Sequence, residues 1–203
     1  MTTDPTRKPA EVPGTGAERA HRHATPKRRP AAPRHPRPLV HRDGHQVVFL
    51  PRPDADEVLE IEHRWPRRGR MAGPHWHPVL QETFAVRRGE MRFRVDGRDV
   101  VLGAGDRIVV EPGQVHEFWS TADETLEVRH EVRPPGRHRE MFELWHRLDE
   151  QGKTTRSGIP RNPLWLATLW DLQDGYLAGV PASLQQGVLG ALAGFARRRG
   201  APP

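Results

Sequence analysis

The sequence of 203 residues contains no cysteine. This absence excludes disulfide frameworks, cysteine-bound zinc, iron–sulfur clusters and a thiol nucleophile. A bound metal would therefore need histidine, carboxylate or backbone ligands. The sequence also lacks an apolar run long enough to span a membrane, and Met1 to Pro38 has no apolar core of the kind found in signal peptides. We therefore expect a cytoplasmic protein with no membrane partner.

Hydrophobic residues are scarce for a folded chain, at 35%, and aromatic residues make up only 6%. Residues 1–40 hold nine Lys/Arg and three Asp/Glu, so they carry the whole formal net charge of +6. The remaining residues hold 23 charges of each sign and offer no excess positive charge to a nucleic acid. We predict that residues 1–40 form a disordered, basic, proline-rich tail and that there is no nucleic-acid partner. The alternative for this tail is a basic arm that contacts an acidic surface or anionic lipid.

Short alternating segments begin near residue 45 and are typical of half-buried strands. They span residues 45–50, 58–65, 81–87, 91–95, 98–102, 107–110, 115–120 and 125–133. Asp96-Gly97 is a hairpin signal between two of these segments. Strands in this number, without helices between them, predict a mainly β fold over residues 41–136, either a closed barrel or a two-sheet sandwich.

The periodicity changes to that of helices after residues 134–136. Met141, Leu144 and Leu148 form a stripe with helical spacing, Asn162 is a candidate N-cap, and Pro181 can open a last helix. We predict that residues 137–203 form a C-terminal helical extension that packs on the barrel. The alternative is that the tryptophans of this extension line a substrate entrance or a dimer interface.

One group of residues indicates metal chemistry. Strand alternation puts His75 and His77 on one face, about 6–7 Å apart along the backbone. Pro78 breaks this strand, so Glu82 can face inward on the next one, and His116 follows a Pro-Gly turn. Three imidazoles and a carboxylate suit a divalent transition metal better than Ca or Mg. A His-x-His pair can also arise by chance. The spacing of the surrounding residues is therefore needed to distinguish a metal site from a coincidence.

That wider spacing resembles the cupin superfamily. Residues 69–89 match its first motif, G-x5-HxH-x4-E-x6-G, at every fixed position. The second motif is G-x5-PxG-x2-H-x3-N, of which Gly105, Gly113 and His116 match. Glu111 replaces the usual proline and Ser120 the usual asparagine. The resemblance covers residues 45–133 and is that of a type-2-like, single-domain bacterial cupin with a C-terminal helical extension.

The resemblance implies a double-stranded β-helix, or jelly-roll, barrel with a metal site inside its mouth. It implies a homodimer as well. The metal ligands carried over from the family are His75, His77, Glu82 and His116. They would hold one divalent transition metal, which could be Fe, Mn, Ni, Cu, Co or Zn.

Period-2 alternation also assigns side chains to the faces around these ligands. The inward-facing residues predict an apolar, aromatic-edged substrate pocket lined by Phe84, Val86, Met91, Phe93 and Phe118. Such a cavity suits a small organic ligand better than a nucleotide or a sugar phosphate. His63 and His130 also face inward, and either is a candidate general acid or base. The alternative is that these two histidines lie at a barrel rim or bond to backbone.

Two classes of function follow from the resemblance and the predicted pocket. The first is a metal-dependent enzyme acting on a small aromatic or polyketide-like molecule, either as a dioxygenase-like enzyme or as a cyclase or isomerase. Its metal would act as a Lewis acid or as an O2-activating centre. The alternative is a non-catalytic cupin that binds or senses a small molecule. A sugar-nucleotide epimerase is disfavoured because few basic residues face inward.

Overall fold

The computed structural model describes residues 36–121 and 123–198. The prediction of a disordered tail therefore lies outside the described residues for positions 1–35. For the end of that tail the prediction is wrong, because Leu39 and Val40 form a short strand that pairs with Val47 and Gln46. The folded chain thus begins before residue 41.

The described residues form eleven strands and three helices, and every strand pair is antiparallel. The strands are β1 (Leu39–Val40), β2 (Gln46–Leu50), β3 (Leu59–Trp65), β4 (Gly69–Trp76), β5 (Gln81–Arg88), β6 (Met91–Val95), β7 (Arg98–Leu102), β8 (Arg107–Val110), β9 (His116–Ser120), β10 (Leu126–Arg133) and β11 (Tyr176–Leu177). The helices are α1 (His138–Glu150), α2 (Pro163–Gln173) and α3 (Ala182–Arg198).

Two sheets are built from these strands. One has the order β1-β2-β3-β10-β5-β8, and the other has the order β11-β4-β9-β6-β7. This arrangement confirms the predicted mainly β fold of jelly-roll type. The eight predicted strands are present, each within one residue of its predicted bounds. The sequence analysis treated His75 and His77 as lying on a strand but gave that strand no bounds, because two glycines and a proline interrupt β4 and weaken its strand pattern.

The alternation of buried and exposed residues on the strands divides the interior into two hydrophobic clusters. One cluster joins Val47 of β2 and Ile61 of β3 to Leu144 of α1 and Leu172 of α2. The other contains the inward-facing apolar residues of β5, β6 and β10. Residues of the first two helices therefore share a core with the strands that neighbour them.

The helix ends follow the signals seen in the sequence. The Asn162 side-chain oxygen accepts a hydrogen bond from the Leu164 backbone N–H at 2.9 Å, which caps α2 as expected. Helix α1 ends at Glu150, and Gly152 follows with a φ of +66°, a conformation that favours glycine. None of the described helices is long and apolar enough to cross a membrane.

The shared core can be tested with two leucine-to-alanine substitutions in helices. Leu144 is 1% exposed, whereas Leu184 on α3 is 58% exposed. We expect Leu144→Ala to lower the free energy of unfolding by about 2–5 kcal/mol, because it leaves a cavity between α1 and the sheet. Leu184→Ala is the matched control, with a change within about 0.5 kcal/mol. Urea unfolding measures both, and equal losses would contradict the shared core.

Candidate metal centre

Four side chains predicted from the sequence as metal ligands meet inside the barrel. The ligand atoms of His75, His77, Glu82 and His116 all lie within 4.8 Å of one another. His75 on β4 is paired with His116 on β9, so the register of these strands brings two ligands together. His77 directly follows β4, and Glu82 is the second residue of β5. Each of the four residues is 4% exposed or less.

The three imidazoles of this quartet are oriented by the backbone. The Nδ1–H groups donate to carbonyl oxygens, from His75 to Gly73 (2.8 Å), from His77 to Asp174 (3.2 Å) and from His116 to Gln114 (3.1 Å). A carbonyl oxygen can only accept, so Nδ1 carries the proton in each ring. The Nε2 lone pairs are therefore left for a cation, which is the tautomer that a histidine ligand needs.

The centre of the quartet contains polar atoms that lack hydrogen-bond partners. Nε2 of His77, Nε2 of His116 and Oε2 of Glu82 are buried and make no hydrogen bond to any described residue. Oε2 lies 3.3 Å from the first nitrogen and 3.0 Å from the second. Leaving three electron-rich atoms unpaired in a buried space costs free energy. A proton on one nitrogen relieves this cost in part, and a divalent cation relieves it for all three atoms, so the residues fit such a metal.

The charge states of the quartet favour cation binding. Burial alone would raise the pKa of Glu82, but the imidazoles of His116, His130 and His77 outweigh burial and hold this pKa well below its usual range. Burial, together with His116 and His77, lowers the pKa of His75 to about 3. Burial also opposes protonation of His77, but the Glu82 carboxylate outweighs it and raises the pKa of His77. A metal would therefore displace a proton from His77, as metal binding to histidine generally does.

His138 is a neighbour of the quartet that the sequence analysis missed. It is the first residue of α1 and is 2% exposed, with its ring centroid 5.6 Å from that of His77. Its Nε2 lies 4.0 Å from Oε1 of Glu82, and burial lowers the pKa of His138 to about 3. The sequence did carry a signal, because His138 precedes Met141 and Phe142 by three and four positions and so shares their helical face.

A second missed contribution is the backbone of Asp174, which accepts the Nδ1–H of His77. Asp174 caps the end of α2 in a left-handed conformation, with a φ of 50°. A backbone carbonyl leaves no residue-type signal in a sequence, so no pattern could have found it. In the same region, the Trp170 ring on α2 lies edge-on to His75, with 6.0 Å between centroids.

The two histidines predicted as general acid or base lie deep in the barrel. His63 and His130 are 3% and 4% exposed. Nε2 of His63 lies 3.3 Å from Nδ1 of His130, and Nε2 of His130 lies 3.0 Å from Oε1 of Glu82. Both side chains therefore form hydrogen bonds with other side chains. They lie on the Oε1 side of Glu82, whereas the atoms without hydrogen-bond partners lie on its Oε2 side. Their role in proton transfer stays a prediction.

The five residues predicted to line a substrate pocket form a layer beside the ligands. The residues are Phe84, Val86, Met91, Phe93 and Phe118, of which all but Phe118 are 1% exposed or less. The three phenylalanine rings contact one another at centroid distances of 5.0 to 5.2 Å. Phe84 and Phe118 each follow a ligand by two positions on the same strand. The layer is packed, as the interior of a small barrel generally is, and its contact with substrate stays a prediction.

Comparison with known proteins finds one family model and a set of solved structures that resemble part of the chain. A family model described as "Cupin domain" matches residues 63–132. No curated protein matches the chain.

Similar solved structures include KdgF from Halomonas sp., with 17% identity, 44% of this chain and 79% of that chain covered, and a TM-score of 0.39. A predicted oxalate decarboxylase from Thermotoga maritima has 24% identity, 44% and 79% coverage, and a TM-score of 0.40. A sugar phosphate isomerase from Silicibacter pomeroyi has 18% identity, 46% and 62% coverage, and a TM-score of 0.41. At these scores the similarity carries no information on the reaction.

The buried side chains of His45 and His63 predict how the free energy of unfolding depends on pH. Burial lowers the pKa of His45 well below its usual range, with a contribution from the nearby His41. Burial likewise lowers the pKa of His63, with contributions from His45 and His130. Both side chains are therefore neutral in the folded protein and must gain a proton on unfolding at mildly acidic pH.

We expect the free energy of unfolding to fall as pH decreases from 7 to 5. The unfolded state binds the extra protons below the ordinary pKa of 6.5, so the stability is fully present above that pH. Each such histidine contributes up to about 1.4 kcal/mol per pH unit. His45→Phe keeps the stacked ring and removes one group, so its slope against pH should be smaller. Urea unfolding at several pH values measures the slopes, and equal slopes would contradict the neutral burial of His45.

Proposed function

The chain belongs to the cupin superfamily, and we propose that it is a metal-dependent enzyme acting on a small aromatic or polyketide-like molecule. The observation that carries this proposal is the convergence of Nε2 of His77, Nε2 of His116 and Oε2 of Glu82 without hydrogen-bond partners among the described residues. With His75 they form a set of three imidazoles and one carboxylate. Such a set leaves coordination positions for water and substrate on a divalent transition metal.

The residues of the chain have distinct parts in this proposal. His75, His77, Glu82 and His116 would hold the metal. When bound, the metal would supply a Lewis acid for a substrate oxygen or a redox centre for O2. The backbone carbonyls bonded to the three Nδ1–H groups keep the imidazoles oriented, and the phenylalanine layer excludes water from one side of the centre.

The surroundings of the quartet support a small substrate with aromatic character. Trp170 lies edge-on to His75, with 6.0 Å between the ring centroids. Phe118, which is half-buried, lies on β9 two positions after His116. Aromatic side chains near a metal favour a planar, apolar ligand. We propose either a dioxygenase-like reaction or a cyclase or isomerase reaction, since both use the same ligands.

A second candidate function is non-catalytic binding of a small molecule. One observation favours it, namely that the four metal ligands are each 4% exposed or less. A centre so enclosed has restricted access for substrate, which suits a protein that holds a ligand without turnover. Turnover of a phenolic substrate by the metal-loaded protein would exclude this candidate.

The expected homodimer and the expected cytoplasmic location are also proposals. The homodimer rests on the resemblance to cupins. Sedimentation of the purified chain would test it, with a single species of twice the monomer mass as the supporting result.

The metal centre itself is tested by metal content. We expect the purified, untagged protein to contain close to one transition-metal ion per chain, measured by mass spectrometry. The double variant His75→Ala/His116→Ala should lose it, because two of the four ligands are gone. His146→Ala is the control, since His146 is half-buried on α1 and lies 3.6 Å from Glu150, outside the quartet.

The identity of the ion directs the next experiment. Fe, Mn, Ni or Cu would favour the dioxygenase-like reaction and call for O2-uptake assays with flavonols and polyketide-like phenols. Stoichiometric Zn would favour the cyclase or isomerase reaction. Absence of metal from wild type, even after reconstitution, would contradict the metalloenzyme proposal.

A further inference from the structure

Three imidazoles form a hydrogen-bonded row that ends on the carboxylate of the metal centre. Nε2 of His45 lies 3.1 Å from Nδ1 of His63, and Nε2 of His63 lies 3.3 Å from Nδ1 of His130. Nε2 of His130 lies 3.0 Å from Oε1 of Glu82. Every contact in the row joins an Nε2 to the next acceptor, and all four residues are buried. We call these three residues the histidine row.

The sheet register explains why the row is continuous. It crosses the sheet from β5 through β10 and β3 to the residue that precedes β2. Each acceptor in the row is paired across the sheet with a residue of the neighbouring segment. The donor histidine lies two positions along the chain from that paired residue. The paired residues are Glu82 with Val132, His130 with Ile61 and His63 with Val47. Such diagonal neighbours in a sheet are within reach of long or aromatic side chains.

The carboxylate at one end fixes the direction of the first hydrogen bond. Ionised Glu82 can only accept, so Nε2 of His130 carries a proton. In the pattern that continues from this bond, Nδ1 of His130 accepts from the Nε2–H of His63, and Nδ1 of His63 accepts from the Nε2–H of His45. Burial lowers the pKa of His45 and of His63, which keeps both rings neutral, as this pattern requires.

Ring stacking holds the row in place. The His45 and His63 rings stack on Trp65 with centroids 4.7 and 4.8 Å away and interplanar angles of 8° and 12°. The His130 ring stacks on Phe84 at 4.2 Å and 10°. A ring nitrogen forms its hydrogen bond in the plane of its ring. Stacking fixes that plane, so the nitrogens point along the row and not towards the core.

We propose that His45 and His63 are positioning residues of the metal centre, which hold the His130 ring in the orientation that keeps its Nε2–H on Oε1 of Glu82 and leaves Oε2 for the metal. This inference rests on the proposed function, since it takes Glu82 as a metal ligand. It differs from a role in general acid or base catalysis, because neither residue needs to touch a substrate. The row acts on the metal through the orientation of a single carboxylate, whose Oε2 faces His77 and His116.

The tautomers can be read in the metal-free protein. We expect the ¹⁵N chemical shifts of the histidine side chains to show His45, His63 and His130 each protonated at Nε2 and unprotonated at Nδ1. In His63→Leu, the donor to His130 is lost, and the His130 signals should change. In His63→Gln, an amide that both accepts and donates replaces the imidazole, so the His130 signals should stay close to those of wild type.

Metal affinity gives the second readout, measured by competition with a chelator using Zn(II) and Mn(II). We expect His63→Leu to weaken binding by about tenfold, at the lower end of the range for residues that support metal ligands. His63→Gln should restore the affinity of wild type. His41→Phe is the control, because His41 is buried and stacks on His45 at 5.1 Å without a hydrogen bond to the row. If His63→Leu does not fold, His45→Phe breaks the row at its outer end and should change the His130 signals in the same direction.

The outcomes separate this inference from the proposed function. Metal binding by wild type with unchanged affinity in His63→Leu would overturn the inference and leave the function standing. Mixed tautomers of His130 in wild type would also overturn it alone. A wild-type protein that binds no metal would remove both proposals, whatever the tautomers are.

Discussion

The structure is organised around one carboxylate in the interior of a β-sheet. Glu82 is 4% exposed, and burying an ionised carboxylate costs several kcal/mol unless charge and hydrogen bonds compensate. Its two oxygens divide the compensation between them. Oε1 accepts from the histidine row, whereas Oε2 faces two imidazole nitrogens at distances that suit a shared cation. The proton on Nε2 of His130 follows directly from the presence of this carboxylate.

The centre also depends on parts of the chain that follow the barrel. His138 from α1 lies against His77 and Glu82, and the carbonyl of Asp174 at the end of α2 accepts the Nδ1–H of His77. Residues of α1 and α2 share a hydrophobic cluster with β2 and β3. The helices are therefore coupled to the quartet both through packing and through a direct hydrogen bond.

Much of this architecture could be predicted from the sequence because it depends on local periodicity. Alternation located the eight strands and the inward faces, and the resemblance of residues 69–89 and 105–120 to the two cupin motifs supplied the four metal ligands. Local patterns failed where the cause is tertiary. His45 joins the histidine row, and His138 and the Asp174 carbonyl come to the centre, through pairing and packing that no spacing records. Alternation likewise showed that Phe84 and Phe93 face inward, but it could not show that neighbouring rings fill the space between them.

The pairing of β4 determines when the parts of the centre become available during synthesis. Strand β4 carries His75 and lies between β9 and β11, and β11 comes from near the end of the described chain. The hydrogen bond from His77 to Asp174 likewise joins residues 97 positions apart. Because a ribosome makes the chain from its N-terminus, all four ligands emerge well before these partners exist. A nascent chain therefore has the quartet before it has the support of β11 and of the Asp174 carbonyl, which exist only once residues 174–177 have been synthesised.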